Sequence, residues 1–465
     1  MALVKEKSFY KSVLMVAVPI VLQSLVNVGI NMTDVIMLGK LGETNISGAS
    51  LANQVFFLLN LFIFGLGSGA GVLASQYWGK KDTSSIRKIL GNTYKFAIIG
   101  GLLFSLAGIF APNFILSIYT KDAQVIAMGS DYLRIIAFSY LPFSITLCYC
   151  MLLRSVEKTR LPLYLSIQSL LLNTFLCYIL IFGKLGMPAL GIKGAAIATL
   201  IARVVECIVV LIYMNGFEKT LRFRIKDIFS YDKVLMGDYL KIGLVVLFNE
   251  MLWSLATSAQ AIIIGRISTD MVAAMSIVSV AIQLCTISLW GLASASSIYI
   301  GKAAGTGNKK LVKDYAASFL LLATVIALIA MIIMLLIRHI AVDYYNVSQT
   351  IKDMAFNMMT VAAFICLAFP FSGVCLIGIL RGAGDTKFVF WTDITFLWLI
   401  SAPLGILAGW VLKLPAHIVY MCLKIDEPIK SVIGLLRLRG DKWIKDVTRD
   451  NIDVTEIQIE EQRLV

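Results

Sequence analysis

Long apolar runs alternate with short polar segments along almost the whole chain. A helix needs about 20 apolar residues to cross a hydrocarbon layer of about 30 Å, and most of these runs are at least that long. We therefore predict an all-α polytopic membrane protein with twelve transmembrane helices, at residues 13–38, 46–78, 89–111, 125–153, 162–182, 191–214, 239–264, 271–300, 315–337, 354–380, 388–412 and 414–438. The last span is the weakest, because Lys424, Asp426, Glu427 and Lys430 interrupt it.

The second half of the chain repeats the first. Short loop signatures recur at nearly one offset: 38–41 matches 264–267 and 64–66 matches 290–292 at 226 residues, and 153–160 matches 380–387 at 227. Six spans per half is an even number, so both halves enter the membrane from the same side and the repeat is parallel. We predict two pseudo-symmetric six-helix lobes around a central cleft. The N-lobe would cover residues 1–214 and the C-lobe 239–440, with a cytoplasmic connector at 215–238 and a cytoplasmic tail at 441–465.

Basic residues concentrate in alternate loops. Lys80, Lys81 and Arg87 follow the second span, for example, whereas only Lys40 follows the first. Cytoplasmic loops of membrane proteins carry such an excess of Lys and Arg. We therefore predict a multi-pass protein of the cytoplasmic membrane with both termini in the cytoplasm.

The composition excludes most soluble classes of protein. Hydrophobic residues make up 59% of the chain and charged residues 15%, whereas a soluble protein has about 25% charged residues. The formal net charge of +13 would suggest a nucleic-acid partner in a soluble protein, but a polytopic protein needs cationic cytoplasmic loops. We predict the lipid bilayer as a partner and no nucleic acid.

The chain lacks the residue patterns of common enzymes. Its 8 cysteines lie within apolar runs, and its 2 histidines, His339 and His417, lie near span ends. There is no G-x-S-x-G motif, and the segment 384–387 does not have the order of a phosphate-binding loop. We predict that the protein is not an enzyme and has no cofactor and no resident metal ion.

Several segments resemble one known family of transporters. They include Pro19 and Gln23 in the first span, Asp34 with 37–42 after it, and the segments 76–79, 190–196 and 380–386. Together they resemble the multidrug and toxic compound extrusion (MATE) family, with the NorM-type bacterial subgroup as the nearest, over about the whole chain to Lys445. The resemblance implies a cation-driven exporter with two six-helix lobes in a V shape, coupled to Na⁺ or H⁺.

Four residues are candidates for cation or proton coupling. Glu250 resembles the cation-site glutamate of NorM-type members, Asp34 a span-one aspartate tied to coupling, and Asn173 a span-five asparagine of the N-lobe site. A charge near mid-bilayer costs several kcal/mol unless it is paired, hydrated or neutralised. Protons, a transient Na⁺ and a cationic drug would therefore compete for Glu250. Asp393, near the start of span eleven, is either a relay or gate residue or an acid that reaches water.

Two departures from the family pattern bear on these sites. The tenth span, 354–380, contains no acid where NorM-type members are expected to have an aspartate. Cys177 stands four residues after Asn173, where many members have Asp or Asn. A thiol is a poor ligand for Na⁺, so both coupling sites are incomplete and Glu250 is the better candidate.

Neutral polar residues within the spans could line the cleft. They are Gln23, Gln54, Asn60, Asn249, Gln260 and Gln283. Hydrogen bonding between helices is an equally good use for such residues. Arg203 and Glu206, and their repeat counterparts Glu427 and Lys430, have the i, i+3 spacing of structural ion pairs.

These observations favour a secondary antiporter that exports amphipathic, cationic small molecules, acts as a monomer and is driven by inward Na⁺ or H⁺. The nearest alternative is a flippase for lipid-linked oligosaccharides or polysaccharides, which should have a cationic groove. The interior contains few Lys and Arg apart from Arg134, which counts against a flippase. A receptor or channel is a rival from another class.

Overall fold

The computed structural model describes residues 2–229, 232–345 and 347–449, and this part of the chain is almost entirely helical. Its α-helices are α1 (Lys7–Gly39), α2 (Glu43–Gly79), α3 (Thr83–Phe110), α4 (Pro112–Ser117), α5 (Ala123–Ile136), α6 (Tyr140–Ser155), α7 (Arg160–Phe182), α8 (Ile192–Ile212), α9 (Lys233–Gly265), α10 (Thr269–Gly305), α11 (Lys309–Asp343), α12 (Gln349–Ile365), α13 (Thr386–Phe396), α14 (Ala402–Ile406), α15 (Ala416–Leu423) and α16 (Asp426–Leu438). Wider π-helical turns cover Tyr213–Phe217, Pro370–Leu380, Leu397–Ser401 and Leu407–Val411. The predicted all-α fold is confirmed.

Most of the predicted spans are present as long apolar helices. Ten helical segments of the described chain are long and apolar enough to cross a membrane. The pair Gln349–Ile365 and Pro370–Leu380, bent by 49°, makes an eleventh if it counts as one span. Several helices are longer than a hydrocarbon layer of about 30 Å is thick, since the 37 residues of α2 make a helix about 55 Å long.

The predicted twelfth span is broken. It folds as two short helices, α15 and α16, which meet at Lys424 and Ile425. Asp426 and Glu427 lie in the first turn of α16, where the partial positive charge of a helix N-terminus favours acids. The charges that interrupt the apolar run thus start a new helix, and the twelfth span stays a prediction.

The internal repeat is visible in how helices begin. Asp82 caps α3 by accepting a hydrogen bond from the Ser85 amide at 3.0 Å, and Asn308, 226 residues later, caps α11 by accepting one from the Leu311 amide at 3.1 Å. The backbone angles at the two caps nearly coincide, with φ −86° and ψ 86° at Asp82 and φ −83° and ψ 86° at Asn308. Short polar residues satisfy the free amides of a helix start, so each half uses the same device.

The helices α2 and α10 end at the same face of the bundle, beside loops rich in lysine, and we call this face the basic face. Two glycines hold the halves together there. A methyl group built on Gly79 would lie 2.1 Å from the Lys302 carbonyl oxygen, and one built on Gly305 would lie 2.0 Å from the Gln76 carbonyl oxygen. Both glycines and both partners are related by the 226-residue offset. The contact is therefore pseudo-symmetric, and it admits only glycine at these two positions.

The starts of α1 and α9 each pack into the opposite half of the chain. Phe9 and Val13 of α1 belong to a buried cluster with residues of α10 and α11. Leu235 and Tyr239 of α9 belong to a buried cluster with residues of α2, α3 and α6. The two halves are thus interlocked at the basic face, although their sequence ranges do not overlap.

The first part of the predicted tail is docked against this face. The Trp443 side chain is fully buried in the same cluster as α1 and α10. Gln76 of α2 donates to the Lys445 carbonyl oxygen at 3.0 Å and accepts from the Val447 amide at 2.9 Å. Residues 450–465, the rest of the tail predicted at 441–465, lie outside the described residues.

Charged contacts anchor the docked segment at both of its ends. The Lys313 ammonium donates to Asp441 and lowers the pKa of that carboxyl. Arg449 contacts Asp238 at the start of α9 through Nε at 2.6 Å and Nη2 at 3.0 Å, and this carboxylate raises the pKa of the guanidinium. The segment therefore bridges α2, α9 and α11.

Candidate functional site

Glu250 on α9 has an arginine partner. Its Oε1 lies 2.7 Å from Nη1 of Arg381, which directly follows the π-helical turn Pro370–Leu380, and the same Nη1 lies 3.4 Å from Oγ of Ser68 on α2. The Arg381 side chain is 3% exposed and that of Glu250 13%. Two opposite charges removed from water stabilise each other, and each would be unfavourable without the other. The pair lies where the C-terminal half contacts α2 of the N-terminal half.

The repeat places a second arginine at the equivalent position in the N-terminal half. Arg154, 227 residues before Arg381, donates from Nη2 to Oε1 of Gln23 on α1 at 2.5 Å. Gln23 is buried and precedes Ser24, the repeat equivalent of Glu250. The C-terminal pair is neutral, whereas the N-terminal pair carries one positive charge. The two halves therefore differ electrostatically at the same place in the architecture.

The expectation that Arg134 is the notable cationic group of the interior is wrong. Arg134 is exposed, whereas Arg154 is half-buried and Arg381 is buried. Arg154 and Arg381 each directly follow an apolar run, so the sequence suggests that both are charged residues of loops. Their long side chains instead reach back to α1 and α9, as such side chains can when the stem packs along apolar surface. Their matching positions in the 227-residue repeat were the signal that could have revealed them.

Asp34, Cys177 and Asn173 come together in the N-terminal half. The Cys177 Sγ lies 3.8 Å from Asp34 Oδ1 and 3.8 Å from Asn173 Oδ1, and Asn173 Nδ2 donates to Thr199 Oγ1 at 3.0 Å. Cys177 and Asn173 are buried and Asp34 is half-buried. The Cys177 thiol therefore lies between two oxygen acceptors but has only one proton to donate. It occupies the position at which the resemblance implies a second oxygen ligand.

Asp393 lies inside the helix bundle rather than at a water-exposed edge. It is 7% exposed, Oδ1 lies 3.0 Å from Nζ of Lys430, and Oδ2 accepts from Asn249 Nδ2 at 3.2 Å. Lys430 also contacts Asp426 at 2.8 Å. Asn249 and Glu250 are neighbours on α9, so this helix links Asp393 to the Glu250–Arg381 pair.

One of the two predicted ion pairs is confirmed. Arg203 Nη1 lies 2.9 Å from Glu206 Oε2 on α8. The corresponding Glu427–Lys430 pair is wrong, because Lys430 turns to Asp393 and Asp426 while Glu427 contacts the Ser372 hydroxyl. The break between α15 and α16 places Asp426 in the first turn of α16, and the repeat-related helix α8 has no acid at the corresponding position. Lys430 therefore contacts Asp426 rather than Glu427.

The six candidates for lining the cleft separate into two groups. Gln54 and Gln283 are exposed and Asn60 is half-buried. Gln23, Asn249 and Gln260 are buried, and the first two bond to Arg154 and Asp393. Gln260 donates to the Leu423 carbonyl oxygen at 3.0 Å and accepts from Lys424 at 3.1 Å, so its amide serves the break between α15 and α16. Within the described residues, no three His, Cys, Asp or Glu side chains are arranged to hold a metal ion.

The sequence matches one family model over both halves of the repeat. The MatE model matches residues 19–179 and 245–407. A probable multidrug resistance protein NorM from Rhizobium meliloti is 29% identical over 423 residues, which cover 87% of each chain. A probable multidrug resistance protein YoeA from Bacillus subtilis is 23% identical over 439 residues, which cover 94% of each chain.

Solved structures share the fold. One, described as the outward-facing conformation of a multidrug resistance MATE family transporter of the MOP superfamily, has a TM-score of 0.85 at 18% identity and covers 95% of this chain and 97% of its own. A MOP superfamily transporter from Pyrococcus furiosus, for which reverse polarity of the binding pocket suggests a different function, has a TM-score of 0.83 at 18% identity and covers 92% and 95%. These similarities establish the architecture.

Proposed function

The chain belongs to the MatE family, and we propose that it is a secondary antiporter that exports amphipathic, cationic compounds in exchange for inward Na⁺ or H⁺. Relatives named as probable multidrug resistance proteins support the class of cargo. The low charge content and the long apolar helices support a membrane as the working environment. Any central cleft would be lined by Gln54, Asn60 and Gln283, the candidates that are not fully buried.

The contact between Glu250 and Arg381 is the observation that carries this proposal. A carboxylate in a membrane-spanning region requires a positive partner, and here the partner is a side chain of the protein itself. A cationic cargo molecule or an inward cation would compete with the guanidinium for this carboxylate, and one carboxylate is neutralised by only one of them at a time. Mutually exclusive occupancy of Glu250 would couple the two fluxes.

The membrane potential drives such exchange only when the exchange moves net charge, as when two cations enter for each monovalent cationic cargo molecule that leaves. One net charge that moves inward across 100 mV releases about 2.3 kcal/mol. A tenfold concentration ratio corresponds to about 1.4 kcal/mol, so exchange that moves one net charge inward could sustain a cargo gradient of a few tens. One-for-one exchange of monovalent cations instead depends on the concentration gradient of the inward cation alone.

Ethidium efflux from vesicles tests the proposal. Na⁺ and pH gradients would be imposed separately on wild type, on Glu250→Gln and on the control Asp131→Asn, which removes an acid from a solvent-exposed pair with Lys193. We expect Glu250→Gln to lose its response to the driving gradient by at least about tenfold, and the control to stay within about twofold of wild type. A Glu250→Gln protein that still responds fully to a cation gradient would refute this role.

A flippase for lipid-linked oligosaccharides is the second candidate, and one observation favours it. Arg154 Nε and Arg381 Nη2 are buried and have no partner within the described residues. Guanidinium groups with free N–H donors are suited to a phosphate or diphosphate. If Arg154→Gln abolished the translocation of a lipid diphosphate in vesicles that do not move ethidium, the flippase would replace the antiporter.

We extend the proposal to topology and assembly. The basic face would lie in the cytoplasm, which places both termini there, and the protein would act as a monomer in the cytoplasmic membrane. The predicted division into an N-lobe at 1–214, a connector at 215–238 and a C-lobe at 239–440 fits the two matched segments of the family model. Reporter fusions at Val465 and within the 184–190 loop should give opposite signals.

A further inference from the structure

A groove lies at the surface of the bundle between the first half of α1 and the start of α7, and we call it the α1–α7 groove. It has a volume of about 520 Å³, and its lining residues are Lys11, Leu14, Met15, Val18, Pro19 and Arg160. Positions 11, 14, 15 and 18 have the spacing of one helix face. Leu14 is 59%, Met15 49% and Val18 46% exposed, so this face of α1 does not pack on the protein. In a bilayer it would contact acyl chains.

The local sequence explains how the groove is held in shape. Pro19 has no amide hydrogen, so the Met15 carbonyl oxygen, four residues earlier, lacks its usual partner within the helix. The buried Thr159 hydroxyl donates to this oxygen at 3.5 Å. Thr159 directly precedes α7, and the fold therefore holds Arg160, the first residue of α7, beside α1.

The cations of the α1–α7 groove have no partner in the protein. The side chains of Lys11 and Arg160 are exposed, and among the described residues neither forms a hydrogen bond or an ion pair. Lys7, one turn before Lys11 on the same face of α1, is a third exposed cation of this kind. Both helices begin at the basic face, so the positive charges lie toward that face and the apolar wall extends away from it.

Acids near the groove are already engaged elsewhere. A second cavity of about 400 Å³ adjoins the groove and shares two lining residues with it. Glu157 in this cavity forms its ion pair with Lys302 of the other half. Lys158 contacts Glu218 at 3.5 Å. The groove itself has no acid among its lining residues, so its cations lack a counter-charge.

We propose that the α1–α7 groove binds an anionic phospholipid, with the headgroup phosphate on Lys11 and Arg160 and an acyl chain along Leu14, Met15 and Val18. Guanidinium and ammonium groups bind phosphate strongly, and basic pockets between transmembrane helices bind anionic headgroups. The proposed cargo fits the groove less well, because a cationic compound would meet unpaired positive charges. This inference goes beyond the proposed antiport function and depends on neither its cargo nor its coupling ion.

A bound lipid would connect the two halves of the chain. The start of α1 packs in the buried cluster of α10 and α11, whereas α7 packs in the cluster of the N-terminal half. A phosphate that contacts both Lys11 and Arg160 therefore bridges elements that pack on different halves. Because a ligand stabilises the state that binds it, the lipid should stabilise the conformation described here.

Native mass spectrometry of the purified protein tests the headgroup. Phosphatidylglycerol and phosphatidylcholine with identical acyl chains would be titrated separately, and we expect wild type to bind phosphatidylglycerol at least about tenfold more tightly. Lys11→Gln and Arg160→Gln should each weaken phosphatidylglycerol binding about fivefold. The control is Lys310→Gln, which removes an exposed cation of the basic face outside the groove and should stay within about twofold of wild type.

Two outcomes of this titration would overturn the proposal. Equal affinity of wild type for the two lipids would mean that the groove does not recognise negative charge. An equal loss in Lys310→Gln would mean that the whole basic face attracts the lipid and that the groove is not a site.

Val18→Trp tests the acyl chain without changing any charge. Val18 is exposed, so the larger side chain fills the groove and leaves the packed core intact. We expect phosphatidylglycerol binding to fall at least about fivefold. Glycerol phosphate, which has the charge but no acyl chain, should bind wild type far more weakly than the lipid. Unchanged lipid binding in Val18→Trp, or equally tight binding of glycerol phosphate, would refute a lipid site.

Thermal unfolding in nanodiscs tests the connection between the halves. Phosphatidylglycerol in place of phosphatidylcholine should raise the unfolding midpoint of wild type and of Lys310→Gln, but not that of Lys11→Gln/Arg160→Gln. An equal rise in the double variant would contradict the proposal. None of these measurements requires ethidium transport, so a failure of the antiport function and a failure of the lipid site are distinguishable.

Discussion

Glu250 and Arg381 are opposite charges that remain buried only because they contact each other. Removing one partner of a buried pair leaves an unpaired charge and costs about 3 to 5 kcal/mol, whereas removing both costs much less. We therefore expect Arg381→Met to lower the free energy of unfolding by about 3 kcal/mol and the double variant Glu250→Gln/Arg381→Met to recover most of this loss. Thermal unfolding of the four proteins in lipid nanodiscs measures the coupling. Additive effects of the two single changes would mean that the contact stabilises nothing.

At the scale of single residues, the sequence identified acids better than their partners. Glu250 stands out because an acid is rare within a long apolar run, and Asp393 stands out for the same reason. Arg381 does not stand out, because it directly follows a run and only the fold shows that its side chain turns inward. Lys430 was assigned to Glu427 from spacing, but the helix break between Lys424 and Asp426 redirects it.

At the scale of helices, the crossing of α2 and α10 depends on the absence of side chains. A methyl group on Gly305 would lie 2.0 Å from the Gln76 carbonyl oxygen, which is a backbone atom and cannot rotate away. We expect Gly305→Ala to destabilise the protein by about 1 to 3 kcal/mol and to separate the halves at the basic face. Chemical denaturation and labelling of residues along α2 would measure both effects.

Gly237→Ala on α9 is the matched control for this change. A methyl group there meets nothing within 4 Å, and alanine favours a helix over glycine by about 0.5 to 1 kcal/mol. The control should therefore be slightly more stable than wild type. If Gly305→Ala were as stable as Gly237→Ala, the close crossing would not hold the halves together.

The sequence predicted helices reliably where apolar length alone decides the structure. Spans one to three and seven to nine correspond to single unbroken helices. No charged residue or proline ends them early, and the one proline within them, Pro19, lies inside α1 without breaking it. Bends were not predicted. The 49° bend before Pro370 and the short 3₁₀ turn Ala137–Ser139 both interrupt apolar runs that look continuous, because hydropathy carries no signal for a bend.

At the scale of the whole molecule, the proposed orientation places the basic face in the cytoplasm, where cargo would have to enter, and the described contacts hold the two halves together at this face. Glu157 and Lys302 form an ion pair across the two halves, but both side chains are partly exposed, and such pairs stabilise by about 0 to 1 kcal/mol. The docked segment 441–449 is a stronger tie, because it buries Trp443 and bonds to the fully buried Gln76. The family resemblance implies that the two lobes form a V. Only the structure shows that the tail contacts helices of both halves at the basic face.

Removing the Gln76 side chain should therefore release the tail. Gln76→Ala loses the bonds to the Lys445 carbonyl oxygen and the Val447 amide, each of which stabilises by about 0.5 to 1.5 kcal/mol. A loss of about 1.4 kcal/mol increases the undocked population about tenfold, so trypsin should cleave after Lys445 about ten times faster. Gln349→Ala is the control, since Gln349 bonds only to Asp353 at an exposed position among the contacts described for it. Equal cleavage rates in the two variants would mean that Gln76 does not hold the tail, and that the glycine crossing alone closes the basic face.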